Sequence, residues 1–382
     1  MRGNRNMYEP DVTGVSERCP TAGRAASLWG RRVRQYAGLA AAAFVVMVVV
    51  SACSAGPIGT DPSIRHTTRI LGKRVDVTVS LDGGKDLLIR RNVPVKRGMS
   101  ALDVLELVAD VRRGPDGTVV QVNGYGGGRE TALGPDPSAW TYRVDGIESN
   151  VRPERFRVSP GQALWFDLRR LDIYERIPVA IGNFPQPFFS GWRDTNRPVR
   201  IAYGKGFEDD ARYFADTVFQ QLDPDVVPLR TEGTFGGIRS NVPVPLEAVR
   251  KNRANLVIGR WEDLRLDPFI LDIALDPRGY GLTTWIEGSQ IRHQDPDQEF
   301  SVKLDDAEGV VWASTVDGEP DGALVVVVTG FTADGVRAAA RALHNGGMQF
   351  YLSAAVSRDG HVIDASVDAP PPDPNVDPRV EP

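Results

Sequence analysis

Two cysteines, four histidines and six lysines among 382 residues are the scarcities that narrow this chain first. With Cys19 and Cys53 alone there is neither a disulfide framework nor a cysteine-built zinc cluster. His66, His293, His344 and His361 stand far apart in sequence, with no spacing of metal-ligand type among them. No apolar run reaches the ~20 residues of a spanning helix; the stretch from Ala37 to Ala52 has 16. A Walker loop, a Gly-x-Ser-x-Gly elbow and a His-Glu-x-x-His pair are all absent. Gly204-Lys205-Gly206 lacks the third glycine of a dinucleotide fingerprint, and Glu208, Asp209 and Asp210 put negative charge where a pyrophosphate would sit. Those acids instead complement a helix dipole. Asp295, Asp297 and Glu299 imitate part of a calcium loop without its glycine and terminal glutamate. Asp305, Asp306 and Glu308 read as a solvated loop rather than an acid–base group. No catalytic residue, metal site or cofactor is therefore expected, and the chain reads as a non-enzyme.

What is present is a globular body with something attached. Hydrophobic residues make up 41% and charged residues 25%, which excludes wholesale disorder, collagen-like repeats and a polytopic membrane protein. Near the start, Arg31, Arg32 and Arg34 form a positive segment, Leu39 to Val50 an apolar one, and Val50-Ser51-Ala52 sets small residues before Cys53. This resembles a bacterial lipoprotein signal with its lipobox. The resemblance implies cleavage before Cys53, acylation of its thiol, and a mature chain held on the outer face of the cytoplasmic membrane. A retained single-span anchor is the other reading, and the apolar run is short for it. Residues 1–52 are then a signal peptide and 53–67 a spacer. Without residues 1–52 the chain carries 38 basic and 47 acidic residues, a net charge of −9, so nucleic acid is excluded as a partner.

The segment 68–171 reads as a small β-rich domain. Val75, Val77, Val79 and Leu81 alternate with polar residues as in a half-buried strand, and Asp82-Gly83-Gly84-Lys85 turns it back through Leu87 and Ile89. Ser100 is an N-cap with Asp103 three residues on, Ala101, Val104, Leu105 and Val108 fall at helical spacing, and Gly114-Pro115 stops the helix. Strands follow at Val119–Val122, Trp140–Val144 and Leu164–Leu168, with a flexible loop of glycines around Tyr125 between the first two. Met99–Leu105, the glycine-rich loop, Trp140–Gly146 and Val158–Trp165 together resemble the transcobalamin C-terminal-like domain family. That resemblance implies a β-grasp fold, and a corrinoid, cobalamin or a relative, as the ligand. Trp140, Tyr142 and Trp165 sit on alternating strand positions, where packing in the core is one reading and, for Trp140 and Tyr142, a ligand-facing role the other. For Tyr125, set among glycines with no strand face to bury it, a ligand- or partner-facing ring and a buried one are equal readings.

Residues 172–195 form a connector rich in proline and aromatics, Phe184-Pro185-Gln186-Pro187-Phe188-Phe189-Ser190-Gly191-Trp192, whose rings ask to be buried between domains. The segment 196–365 reads as a layered, mainly parallel α/β domain. Strands are expected at Val199–Tyr203, Leu256–Ile258 and Leu324–Val328, with helices around Ala211–Leu222 and Ala333–Leu343. The proline- and aspartate-rich stretch 366–382 is expected to be disordered. The fold class is thus α+β, a β-grasp-like domain followed by a layered α/β domain. Function follows in outline: an extracytoplasmic, lipid-anchored binding protein taking a small ligand through Tyr125, Trp140 and Tyr142, and working beside an envelope protein or transporter. The alternative is an envelope assembly or adhesion protein that binds a protein or glycan partner. Convergent carboxylates in a cleft of the second domain would instead favour an enzyme.

Overall fold

Period-two alternation in Val75, Val77 and Val79 buries one face of the first strand, and the computed structural model shows what covers each side of it. Residues 74–363 are described, except 127–129, 132–133, 136, 194, 230–231, 236–237, 244–247 and 350, and the described residues belong to one compact unit. The signal segment, Cys53, the spacer and the stretch 366–382 lie outside the described residues. Helices and several sheets together make the fold α+β. No helix among the described residues is long and apolar enough to cross a membrane.

β1 (Arg74–Leu81) and β2 (Asp86–Pro94) form the expected hairpin, and α1 (Ala101–Glu106) follows. Ser100 caps α1: its hydroxyl accepts from the Asp103 N–H at 3.0 Å, and the Asp103 carboxylate accepts from the Ser100 N–H at 2.8 Å. The helix ends at Glu106 rather than at Gly114-Pro115. The chain beyond it is taken by a small antiparallel sheet of β3 (Val111–Arg113), β4 (Val119–Val122) and β5 (Tyr125–Gly126). The Asn123 N–H donates to the Asp110 carbonyl at 2.8 Å, while Gly114 turns the β3–β4 hairpin. β6 (Ser138–Val144), β7 (Ile147–Glu148) and β8 (Ala163–Arg170) complete a five-stranded sheet in the order β2-β1-β8-β6-β7. β1 and β8 pair in parallel, and the other neighbours are antiparallel. Ala101, Val104 and Leu105 of α1 pack onto Val75, Val77, Val79, Leu164 and Phe166 on one face of this sheet.

The connector carries α2 (Gln186–Ser190) and contributes to two cores. Phe184 and Phe188 pack against Phe214 and Phe219, with Phe188 and Phe219 centroids 4.8 Å apart, whereas Trp192 packs on Phe156 at 5.8 Å in the first core.

Beyond it run β9 (Val199–Tyr203), α3 (Glu208–Thr217), β10 (Asp225–Pro228), β11 (Ala254–Arg260), α4 (Trp261–Leu264) and α5 (Pro268–Leu275). They are followed by a three-stranded sheet, β12 (Thr284–Glu287), β13 (Gln290–His293) and β14 (Val302–Lys303). The last elements are β15 (Ala307–Thr315), β16 (Leu324–Gly330), α6 (Ala333–His344), β17 (Ala354–Ser357) and β18 (Val362–Ile363). The large sheet has the order β10-β9-β11-β16-β15-β17-β18. It is not mainly parallel: β10, β9, β11 and β16 pair in parallel, and β16, β15, β17 and β18 antiparallel. The tight returns between β15 and β16 and between β17 and β18 allow nothing else, because a short hairpin joins only antiparallel strands. Val326 and Val328 face the core shared with α3 and α6, while Val325 and Val327 face Trp261, Ile270 and Trp285. That two-sided burial is why the run reads as apolar on consecutive positions. α6 starts so close to β15 that a Cβ on Gly335 would lie 2.4 Å from the Glu308 carbonyl oxygen. Thr332 caps this helix, its hydroxyl accepting from the Gly335 N–H at 3.0 Å.

Candidate functional site

Tyr125 does not lie in a loose loop. Asn123 and Gly124, both at positive φ, make a two-residue hairpin that returns β4 into β5, so that Tyr125 pairs with the fully buried Val122. The Gln121 side-chain amide donates to the Gly124 carbonyl at 2.8 Å and braces the turn. The result is an edge strand, packed near β6, whose Tyr125 ring stays 46% exposed. Trp140 on β6 is half-buried against the first core, and its indole N–H has no acceptor among the described residues. Tyr142, two residues on, is a core residue. Its ring stacks on Phe166 at 5.3 Å, and its hydroxyl donates to the Val151 carbonyl at 2.5 Å and accepts from Ser149 at 2.7 Å. Burial raises its phenol pKa. Tyr142 therefore leaves the ligand-facing set, while Tyr125 and Trp140 remain in it.

The turn at Asp145-Gly146 is also closed. The Asp145 carboxylate accepts from the Ala163 N–H at 2.8 Å, and the Gly146 carbonyl accepts from the Ala180 N–H at 2.9 Å. A Cβ on Gly146 would lie 2.8 Å from Cβ of Asn183. The connector thus folds back over this end of the sheet.

The same connector covers a buried layer of charge on the face of the sheet opposite α1. Glu148 accepts from Arg169 at 2.8 and 2.9 Å, from Arg143 at 3.2 Å and from the Ile177 N–H at 3.2 Å. Asp167 accepts from Ser80 at 2.6 Å and from the Gly83 N–H at 3.0 Å, while Ser80 accepts from the Trp165 indole at 2.7 Å. Arg143 stacks over the Trp165 ring, 5.0 Å from its centroid. Burial pushes the Asp167 carboxyl up, opposed mainly by Arg143, and pulls the Arg143 guanidinium down, opposed mainly by Glu148. Nε and Nη1 of Arg143 and Nε of Arg169 have no partner among the described residues. None of these charges stood out in the sequence, where Asp167 and Arg169 alternate with Phe166 and Leu168 as the solvent side of a strand does.

In the second half, the Thr284 hydroxyl lies 2.9 Å from Nδ1 of His293, whose Nε2 lies 3.0 Å from Asp295. The three residues are almost wholly buried. Asp295 and Asp297 lie 3.9 and 3.7 Å from Nζ of Lys85, and Glu299 lies 3.9 Å from Arg170, so these acids face the first sheet. Asp82, in the turn after β1, has its carboxyl pushed up to about 6, by burial first and then by Asp297. Arg337 of α6 donates to the Gly206 carbonyl at 3.2 Å and lies 3.6 Å from Asp210, occupying the start of α3. Glu308 accepts from Thr332 at 3.1 Å, and Asp305 and Asp306 are exposed. No cluster of three metal-ligating side chains occurs among the described residues.

No family model matches the chain, and no curated protein matches it. Among solved structures, a candidate metal binding protein from Ruminococcus gnavus ATCC 29149 is similar at 19% identity, over 26% of this chain and 97% of that one, with a TM-score of 0.21.

Proposed function

We propose that the protein is a lipoprotein held through Cys53 at the outer face of the cytoplasmic membrane, with a β-grasp domain of transcobalamin C-terminal-like type that captures a small flat ligand, a corrinoid by the resemblance. Taken in chain order, the five strands of the first sheet run 2-1-5-3-4 with α1 across one face, which supports the β-grasp reading. The observation that carries the ligand reading is the exposed Tyr125 ring, held on a braced hairpin beside the strand that bears Trp140. The other reading, docking of an envelope protein or glycan, draws on α5, which exposes Leu271 and Leu275 although most of its other residues are apolar too.

The test is a calorimetric and fluorescence titration of cobalamin and cobinamide into the full-length, processed protein. Stacking on an aromatic ring is worth ~0.5–1.5 kcal/mol, so Tyr125→Ala weakens binding severalfold and, because the ring is exposed, leaves the melting temperature unchanged. Absence of heat and of quenching with both compounds at high micromolar concentration removes the corrinoid. Cys53→Ser in the same preparation abolishes the lipid mass and the membrane fraction, and retention of both would sink the lipoprotein assignment.

A further inference from the structure

A pocket of about 630 Å³ opens between connector residues Gly191, Trp192, Arg193 and Thr195 and the return from β15 to β16. Its apolar lining comes from three parts of the chain: Ile147 of the first sheet, Phe188 and Trp192 of the connector, and Leu324 of the large sheet. That size falls within the ~300–1,000 Å³ of small-molecule sites, which pair apolar walls with a few polar groups.

Two polar side chains in this lining lack partners among the described residues. Thr315 is 1% exposed and its Oγ1 makes no hydrogen bond. Native interiors leave few such hydroxyls unpaired, and this one lines a pocket with room for a partner. Arg193 is exposed, at positive φ, with no hydrogen bond or ion pair to a described residue. Its neighbour in the lining, Arg197, is committed, donating to the main-chain carbonyls of Lys251 and Asp321. Among the described residues of the lining, Asp321 is the one acid, beside the two cationic side chains Arg193 and Arg197.

We propose that this pocket binds an amphipathic organic anion, its apolar body against Phe188, Trp192 and Leu324, its acid group on Arg193, and a polar atom within reach of the Thr315 hydroxyl. The site is independent of the Tyr125 rim. Because Ile147 belongs to the first sheet and Leu324 to the second, such a ligand touches both.

The test uses 4-benzoylbenzoate, a photoactivated aromatic carboxylate, against its neutral analogue 4-(hydroxymethyl)benzophenone, on the full chain in non-ionic detergent with adducts mapped by peptide mass spectrometry. Saturable labelling by the carboxylate of peptides bearing Phe188, Trp192 or Leu324 is expected, with much weaker labelling by the neutral compound. Arg193→Glu, at an exposed position that leaves the melting temperature unchanged, lowers labelling at subsaturating probe about tenfold, as loss of a charge-assisted contact requires. Thr315→Val lowers it about threefold, the scale of one neutral hydrogen bond. Labelling spread over other peptides, equal labelling by both probes, or full labelling of Arg193→Glu would overturn the proposal.

Discussion

Glu148→Gln is the sharpest test of how the first sheet is held. The Glu148 carboxylate is shared by two guanidinium groups, Arg169 at 2.8 Å and Arg143 at 3.2 Å, both with 0% side-chain exposure. Neutralising it leaves two buried cations with Asp167 as the remaining acid of the layer, whose own pKa is already raised by burial. Breaking a buried pair in this way costs about 3–5 kcal/mol. For a body of this size that lowers the melting temperature by roughly 6–15 °C. Arg143→Met is expected to cost less, because it keeps the closer Glu148–Arg169 pair and removes two donors that had no partner. Calorimetry on the three proteins at pH 7, with urea midpoints as a check, measures both effects. A Glu148→Gln melt within 2 °C of the wild type, or an Arg143→Met loss larger than that of Glu148→Gln, would refute the reasoning.

Two further outcomes are expected. The Asp82 carboxyl sits near 6 in the fold against an ordinary 3.8, so its stabilising share is complete below about pH 4 and is lost as pH rises through 6. Asp82→Asn, whose residue tolerates the local φ of 50°, should therefore gain melting temperature over the wild type between pH 4 and pH 7, and a constant difference across that range would contradict it. Gly335→Ala puts a Cβ 2.4 Å from a main-chain oxygen of β15 and should cost about 1–3 kcal/mol in urea unfolding; a neutral result would mean that α6 can move away freely.

Elements whose pattern is local were legible in the sequence. The Ser100 cap, the β1–β2 hairpin, the doubly buried Leu324–Val328 run and the Thr332 cap all announce themselves within a few residues. The end of α1 was not legible, because Val108 keeps helical spacing while Asp110 and Val111 are captured by Asn123 and Val122, far along the chain. The Asn123-Gly124 hairpin was readable and was hidden by the glycines that follow it. Of the site residues, Tyr125, whose ring the sequence left open between exposed and buried, is exposed and lies on a strand that was missed, and Tyr142 divides from Trp140 only through tertiary contacts to Val151 and Ser149. The buried charges could not be read at all. Alternation of Leu164, Phe166 and Leu168 with Trp165, Asp167 and Arg169 marks two faces, and only the chain at 172–184 and Leu352 make the polar face an interior one.

The parallel pairing of β1 with β8 has a mechanical consequence. A force applied at Arg74 acts on the start of β1, while the rest of the body holds the far end of β8 through the segment after Arg170. In parallel neighbours those two points lie at opposite ends of the shared ladder. A load applied between Arg74 and the body therefore acts along the strands and strains the β1–β8 hydrogen bonds together, in shear, instead of peeling them one at a time.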